Sequence, residues 1–186
     1  MYAAWSLTVR RKKQHVRNSH WAALQVTGNT VSLYDSAYNT ISKDAFEVIA
    51  QLVRCKDTAI AINVMNVAKQ AGSSDCALFA LANVTCLALG IDPLAVVFDQ
   101  QQLRPHFVST LETGHATAFP VVKKRRPATK VNRVETCLVY CYCRLPDDGD
   151  TMICCDMCHM QEWFHYNCLK TKPLDTSTWL CDNCVK

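Results

Sequence analysis

The chain has 186 residues, of which 49% are hydrophobic and 19% are charged, and its formal net charge is +4. This composition is typical of a globular protein with one or two domains. No apolar run reaches the roughly 18 residues that a membrane-spanning helix needs, so we expect no membrane partner.

Cysteine usage indicates the redox environment. The chain has 12 cysteines, and eight of them lie between residues 141 and 184. The others, Cys55, Cys76, Cys86 and Cys137, are too scattered to indicate disulfides. The N-terminal residues make a poor secretory signal, because their positive charges follow the short apolar stretch instead of preceding it. We therefore expect a reducing, intracellular setting.

The first part of the chain has the pattern of a mixed α+β domain. Residues 20–27 and 30–34 are strand-like and flank the turn pair Gly28-Asn29, which predicts a β-hairpin. Residues 43–54 are amphipathic and predict a helix, with Ser42 as its cap.

Three further elements are predicted before residue 120. Residues 58–67 are β-branched and apolar, so they predict a buried strand. Residues 77–89 are almost wholly apolar and predict a central helix that is buried on all sides and ends at Gly90. A last helix is predicted over 99–112. Its apolar stripe consists of Leu103, Phe107 and Leu111.

Cys76 is a candidate nucleophile, because it follows Asp75 at the predicted start of the central helix. The positive end of a helix dipole favours the thiolate, which is the reactive form of cysteine. A nucleophile also needs a base, a group that orients the base and a donor to the oxyanion; His20, Asp35 and Gln70 can take these roles. A lone cysteine entering an apolar helix is more often a packed thiol, so both interpretations stay open.

The same residues occur in three short motifs. In chain order these are His20-Trp21, Tyr34-Asp35-Ser36 and Gln70-x-Gly-x-x-Asp-Cys76. Their order and spacing resemble the motifs of the ubiquitin-like (SUMO) protease family of cysteine peptidases. The resemblance implies that Cys76 is the nucleophile, His20 the general base, Asp35 the group that orients it, and Gln70 part of the oxyanion hole. It also implies a partial papain-like catalytic domain over residues 1–120, N-terminally short, which would act on SUMO or another ubiquitin-like modifier.

The charge pattern changes after residue 120. Residues 121–136 carry six basic and one acidic side chain, whereas residues 137–186 carry four basic and seven acidic ones. The basic run from Lys123 to Arg126 is typical of a nuclear localisation signal or a nucleic-acid contact, and a solvated linker is the alternative. We predict a basic flexible linker over 121–136. The acidic segment after it suits a basic peptide better than DNA.

The last fifty residues contain a series of cysteines and one histidine with the spacing of zinc ligands. The spacing is C-x-C, eleven residues, C-x2-C, six residues, H-x2-C, twelve residues and C-x2-C. Residues paired across a short spacer can reach one tetrahedral ion, so four pairs predict two zinc sites. A disulfide framework is the alternative, but a histidine stands in register with the cysteines. The predicted metal ligands are Cys141, Cys143, Cys155, Cys158, His165, Cys168, Cys181 and Cys184.

This ligand order, with a tryptophan two residues before the histidine, resembles a PHD finger. The resemblance implies a cross-brace, in which the first and third ligand pairs share one Zn²⁺ and the second and fourth pairs share another. In the second pair Cys154 competes with Cys155, and the Cys155-Asp156 step fits the family better. We assign residues 137–186 to this finger and regard Cys137 as a plain thiol.

The resemblance also implies a binding site for methyl-lysine. Aligned on the ligands, Tyr140, Met152 and Trp163 occupy the cage positions of fingers that read histone H3 methylated on its fourth lysine. Such a cage attracts the ammonium by cation–π contact, worth about 1–2 kcal/mol. Asp156 matches a position that meets the neighbouring arginine, and the peptide would add a strand beside residues 151–153. A structural tryptophan and ordinary packing are the alternatives.

Together the two resemblances predict a nuclear α+β protein. Its predicted function is a two-zinc finger that reads a methylated histone H3 tail, attached to a cysteine isopeptidase for ubiquitin-like modifiers. In the alternative the protease half is inactive, and the chain is a zinc-dependent protein-interaction module.

Overall fold

In the computed structural model, the described residues are 20–158, 162–170, 172 and 178–185. The chain is of the mixed α+β class and divides into two units. Unit 1 comprises Met1–Ala45 and Ala61–Glu135, and unit 2 comprises Phe46–Ile60 and Thr136–Lys186. The assignment of domains to residues 1–120 and 137–186 stays a prediction.

The secondary structure alternates short strands with three helices in the described part of the chain. In chain order the elements are β1 Ala23–Thr27, β2 Thr30–Tyr34, α1 Lys43–Val53, β3 Ala59–Met65, α2 Cys76–Ala88, β4 Val96–Phe98, α3 Gln100–Thr113, β5 Val121–Lys124, β6 Val131–Leu138, β7 Met152–Cys154 and β8 Trp163–His165. No helix in these ranges is long and apolar enough to cross a bilayer.

The predicted hairpin is confirmed. β1 and β2 are antiparallel, and Thr27 lies opposite Thr30 across the Gly28-Asn29 turn. Gly28 has φ 58, a left-handed conformation that glycine adopts without the steric cost of a side chain. β3 then pairs in parallel with β2, so that Val31 lies beside Ile62 in a sheet of order β1-β2-β3-β6.

The helix α2 packs in one hydrophobic core of unit 1. The buried residues of this core are Leu78, Phe79, Ala82, Cys86, Val96, Phe98, Leu103 and Phe119. The prediction that α2 is buried on all sides is wrong, because Leu81 is 39% exposed. Its sequence is apolar on every face, so periodicity could not indicate which side would face solvent.

Residues 121–136 contain two strands where a flexible linker was expected. β5 pairs with β4, with Val96 opposite Lys124, and the Arg125 N–H donates to the Ala95 carbonyl. β6 begins at Val131 and joins the edge of the larger sheet. The basic side chains of β5 stay exposed, so the charge run and the backbone pairing coexist.

The apolar stripe of α3 offers a matched test of this packing. Leu103 is fully buried, whereas Leu111 on the same helix is 68% exposed. Leu103→Ala should lower the free energy of unfolding by about 2–5 kcal/mol, because it leaves a cavity in the core. Leu111→Ala should change that free energy by about 0.5 kcal/mol or less. Urea unfolding followed by far-UV circular dichroism measures both, and equal effects would contradict the assignment of Leu103 to the core.

Candidate functional site

Unit 2 contains two clusters of side chains that can hold a metal ion. In each cluster the four candidate ligand atoms lie within 4.8 Å of one another. The groups are the same two that a cross-brace requires. One consists of Cys141, Cys143, His165 and Cys168, and the other of Cys155, Cys158, Cys181 and Cys184.

Distances within the second cluster fit a tetrahedral zinc ion. The Cys158 Sγ lies 3.6 Å from the Cys181 Sγ and 3.7 Å from the Cys184 Sγ. Four sulfurs at about 2.3 Å from a zinc ion in tetrahedral geometry would be about 3.8 Å apart. The spacing therefore suits Zn²⁺, whereas sulfurs joined in a disulfide would be about 2.05 Å apart.

The first cluster orients its histidine as a ligand. The Nδ1 of His165 lies 3.3 Å from the Cys143 Sγ, and its Nε2 donates to the Pro146 carbonyl at 3.1 Å. With the proton on Nε2, Nδ1 carries the lone pair that a metal needs. The hydrogen bond to Pro146 therefore sets both the tautomer and the ring orientation.

The thiols of the second cluster are arranged for a shared cation. Burial acts to raise the pKa of Cys155, but hydrogen bonds with Cys181, Met157 and Cys158 together outweigh it and lower that pKa to about 6. The pKa of Cys158 is raised by burial and by hydrogen bonds with the neighbouring thiols. Thiols this close can all ionise only when a cation neutralises them. The chain is therefore a zinc-binding protein with two sites.

The β7–β8 hairpin holds these clusters on a small apolar core. Phe164 of β8 is fully buried, and its ring lies 4.8 Å from that of Tyr142 and 5.2 Å from that of Trp179. The neighbouring cysteines differ in placement: Cys155 is buried in the second cluster, whereas Cys154 is half-buried outside it. Strand alternation explains the difference, because successive side chains point to opposite faces.

The three candidate cage residues lie in one part of the finger. Met152 pairs with His165 and Cys154 pairs with Trp163, so Met152 and Trp163 are diagonal neighbours on one face of the hairpin. The backbone after Tyr140 joins them, because the Cys141 N–H donates to the Trp163 carbonyl at 3.0 Å. Trp163 is 45% exposed, whereas Tyr140 packs against the finger's core.

Asp156 has a structural contact that the sequence did not indicate. Its carboxylate accepts a hydrogen bond from the Trp179 N–H at 2.7 Å, and its own N–H donates to the Trp179 carbonyl at 3.0 Å. These bonds join the loop after β7 to the segment that carries the last two cysteines. A role for Asp156 toward a peptide arginine remains a prediction.

In unit 1, two of the candidate catalytic residues are directly bonded. The His20 Nε2 lies 2.7 Å from the Asp35 Oδ2, which leaves Nδ1 to act as a base. The other oxygen of Asp35 accepts from the N–H groups of Ala37 and Tyr38. The ammonium of Lys69 donates to the Asp35 carbonyl, and burial lowers the pKa of Lys69 although the charge of Asp35 acts to raise it. Asp35 is thus fixed from several directions.

The Gln70 side chain is bonded next to this pair. Its Oε1 accepts from the Ser36 hydroxyl at 2.7 Å, and its Nε2 donates to the Gly72 carbonyl at 3.0 Å. Cys76 is buried as the first residue of α2. The structure thus joins His20 to Asp35 and Gln70 to Ser36, while Cys76 follows at the end of the loop from Gln70.

Sequence reasoning missed the residue that braces this loop. The Gln100 side chain bonds both the N–H and the carbonyl of Ala71, each at 2.8 Å, and donates to the Asp75 carboxylate at 2.8 Å. Asp75 also accepts from Arg104 at 3.3 Å, so it reaches toward α3 instead of capping α2. The only sequence signal was the position of Gln100 directly after the helix cap Asp99.

Comparison with known proteins gives short matches to curated proteins. The chain is similar to the chromatin modification-related protein YNG2 of Saccharomyces cerevisiae, with 37% identity over 54 residues. It is also similar to the COMPASS component SPP1 of the same yeast, with 44% identity over 46 residues. The matches span 28% and 25% of this chain, but only 19% and 11% of the two relatives. No protein-family model matches the chain, and no solved structure matches it either.

The adjacent cysteines 154 and 155 allow a matched test of the zinc sites. Cys155→Ser should remove one of two bound zinc equivalents and unfold part of the finger, because a structural zinc ion contributes about 10 kcal/mol or more to folding. Cys154→Ser should keep both equivalents, since its sulfur lies outside the cluster. Elemental analysis of the dialysed proteins counts the zinc. Loss of zinc from Cys154→Ser alone would show that the ligand was assigned to the wrong cysteine.

Proposed function

We propose that residues 137–186 form a PHD-type finger that binds a methylated histone H3 tail. The observation that carries the proposal is the interleaving of the two metal clusters: ligand pairs one and three meet, and so do pairs two and four. In this proposal the eight clustered residues are the ligands of two zinc ions. The similarity to chromatin proteins supports a chromatin partner and a nuclear location.

The surface around β7 and β8 supports a basic, methylated peptide as ligand. Trp163 offers an exposed indole face, and Met152 is its diagonal neighbour on the same side of the hairpin. In the described part of the chain, β7 pairs with β8 alone, so its other edge can accept a peptide strand. The exposed loop before β7 adds negative charge for a basic tail. Its acidic residues are Asp147, Asp148 and Asp150.

The cage proposal predicts that Trp163 supplies the methyl-lysine selectivity. Trp163→Ala should weaken binding of an H3 peptide trimethylated on its fourth lysine by roughly tenfold, the equivalent of about 1.4 kcal/mol of lost cation–π contact. Met157→Ala is the control, because Met157 is another exposed apolar side chain of the finger, at 61%. Isothermal titration calorimetry on variants that hold two zinc equivalents measures the affinities. Unchanged affinity of Trp163→Ala would exclude the cage.

A second function, cysteine peptidase activity toward ubiquitin-like modifiers, is favoured by the His20–Asp35 hydrogen bond of 2.7 Å. In this proposal Asp35 orients the ring, and His20 takes the proton from the Cys76 thiol. The thiolate attacks the carbonyl of the modifier's C-terminal residue, while Gln70 donates to the oxyanion. The proton from His20 leaves with the amine, and water then hydrolyses the thioester. The partial papain-like fold of residues 1–120 belongs to this proposal.

Covalent capture tests the peptidase proposal separately from peptide binding. The full chain should form an adduct with SUMO or ubiquitin that carries a C-terminal electrophile, and Cys76→Ala should abolish it. Cys86→Ala should retain it, because burial raises the pKa of the Cys86 thiol to about 11 and leaves it unreactive. Mass spectrometry detects the adduct. Its absence from folded, two-zinc protein would exclude the peptidase and leave the finger as the functional part.

A further inference from the structure

Unit 2 contains an open cavity of about 660 Å³ with a basic lining. It lies between the C-terminal end of α1 and the loop that follows the first zinc-cluster cysteine. Three basic residues line it, together with Gln51 and Tyr142. The three cations are Arg54, Lys56 and Arg144.

The charge of this lining is opposite to that of the unit as a whole. Residues 46–60 and 136–186 contain nine acidic and six basic side chains. Three of those six basic residues line the cavity, and none of the described residues lining it is acidic. Cations concentrated at one cavity of an otherwise acidic unit give that cavity a local positive charge, which attracts an anion.

The two arginines that line the cavity share an unusual backbone conformation, and one of them is also held by an ion pair. Arg54 has φ 48 and Arg144 has φ 53, a left-handed conformation that costs a residue with a side chain about 1–2 kcal/mol. The Arg144 Nη1 also donates to the Glu162 carboxylate at 3.0 Å, which orients the guanidinium. A guanidinium has five N–H donors, so this bond leaves others for an anion in the cavity. Arg54 and Lys56 are exposed to solvent, so a polymer can reach them.

Tyr142 gives the basic cavity an aromatic wall. The ring is 45% exposed, yet it packs against Phe164 at 4.8 Å. Its hydroxyl accepts a hydrogen bond from the Asp182 N–H at 2.8 Å, which fixes the plane of the ring. A rigid aromatic surface beside several cations is the arrangement with which proteins bind single-stranded nucleic acid, where bases stack on rings and phosphates meet Lys and Arg.

We propose that this cavity binds a single-stranded segment of nucleic acid, with a phosphate at Arg54, Lys56 and Arg144 and an unpaired base or its sugar against Tyr142. The volume exceeds the need of a lone phosphate and admits a nucleotide unit. A phosphopeptide would use the cations but not the aromatic wall. No residue of β7 or β8 lines the cavity, so the proposed site adds a nucleic-acid contact that uses other residues than the proposed peptide site.

The test uses the full zinc-loaded chain and a fluorescein-labelled oligonucleotide, single-stranded or as the matching duplex. The pocket variant carries Arg54→Asn, which tolerates the left-handed backbone, together with Lys56→Gln. The control carries Lys170→Gln and Lys172→Gln, which remove the same charge from exposed positions of unit 2 that do not line the cavity. Fluorescence anisotropy over a range of salt concentrations gives the affinities. Zinc content and thermal unfolding check that each variant folds.

The pocket variant should bind the single strand roughly tenfold more weakly, and the slope of log affinity against log salt should become shallower by about 1.4, or about 0.7 for each lost phosphate contact. The control variant should retain the wild-type affinity and slope. Equal loss in both variants would overturn the proposal, as would tighter binding of the duplex. Pocket-dependent binding of a phosphopeptide without binding of the strand would also overturn it. If the double variant does not fold, Lys56→Gln against Lys172→Gln gives the same comparison.

Discussion

The finger of unit 2 depends on two groups of four ligand atoms, and each group can surround one zinc ion. Its apolar core is small and centres on Phe164, so hydrophobic burial alone would hold these fifty residues only weakly. Each cluster joins parts of the chain that lie far apart in sequence, as Cys155 and Cys181 do. A metal ion that closes such loops supplies the folding free energy that the core lacks. The placement of the candidate peptide-binding residues nearby, Trp163 included, therefore depends on the ions.

In unit 1 the corresponding constraint is the fixed carboxylate of Asp35. It is buried, and it combines a bond to His20 with two backbone donors from the turn that follows. A buried carboxylate is costly unless its oxygens are satisfied, so this network fixes the turn and the imidazole together. The bond from Ser36 to Gln70 extends the constraint to the loop before α2. The hydrogen-bonding demand of one acid thus arranges most of the candidate catalytic residues, whether or not they turn over a substrate.

The sequence predicted the structural features that depend on residues a few positions apart. The Gly28-Asn29 turn, the start of α2 and the grouping of ligands depend on neighbours a few residues apart or on a ligand order typical of a family. Long-range backbone pairing left no such signal. Lys124 lies opposite Val96 in a sheet, whereas the composition of residues 121–136 predicted a basic flexible linker. Gln100, which braces the loop before Cys76, is half-buried and belongs to no sequence motif. Pairings of this kind are decided by tertiary packing, which a single sequence does not display.

Charge divides the finger into surfaces with different ligand chemistry. The exposed acids before β7 favour a basic peptide, and the cations that converge on the cavity beside Tyr142 favour an anion. The net charge of the whole finger averages these two surfaces, so it indicates only the acidic surface and its basic peptide ligand. The averaged value argued against nucleic acid, although half of the unit's cations lie where a phosphate could meet them. Histone tails and nucleic acid carry opposite charge and occur together in chromatin. In the two proposals each ligand therefore meets a surface of opposite charge, the histone tail at the acidic loop and the phosphate at the basic cavity.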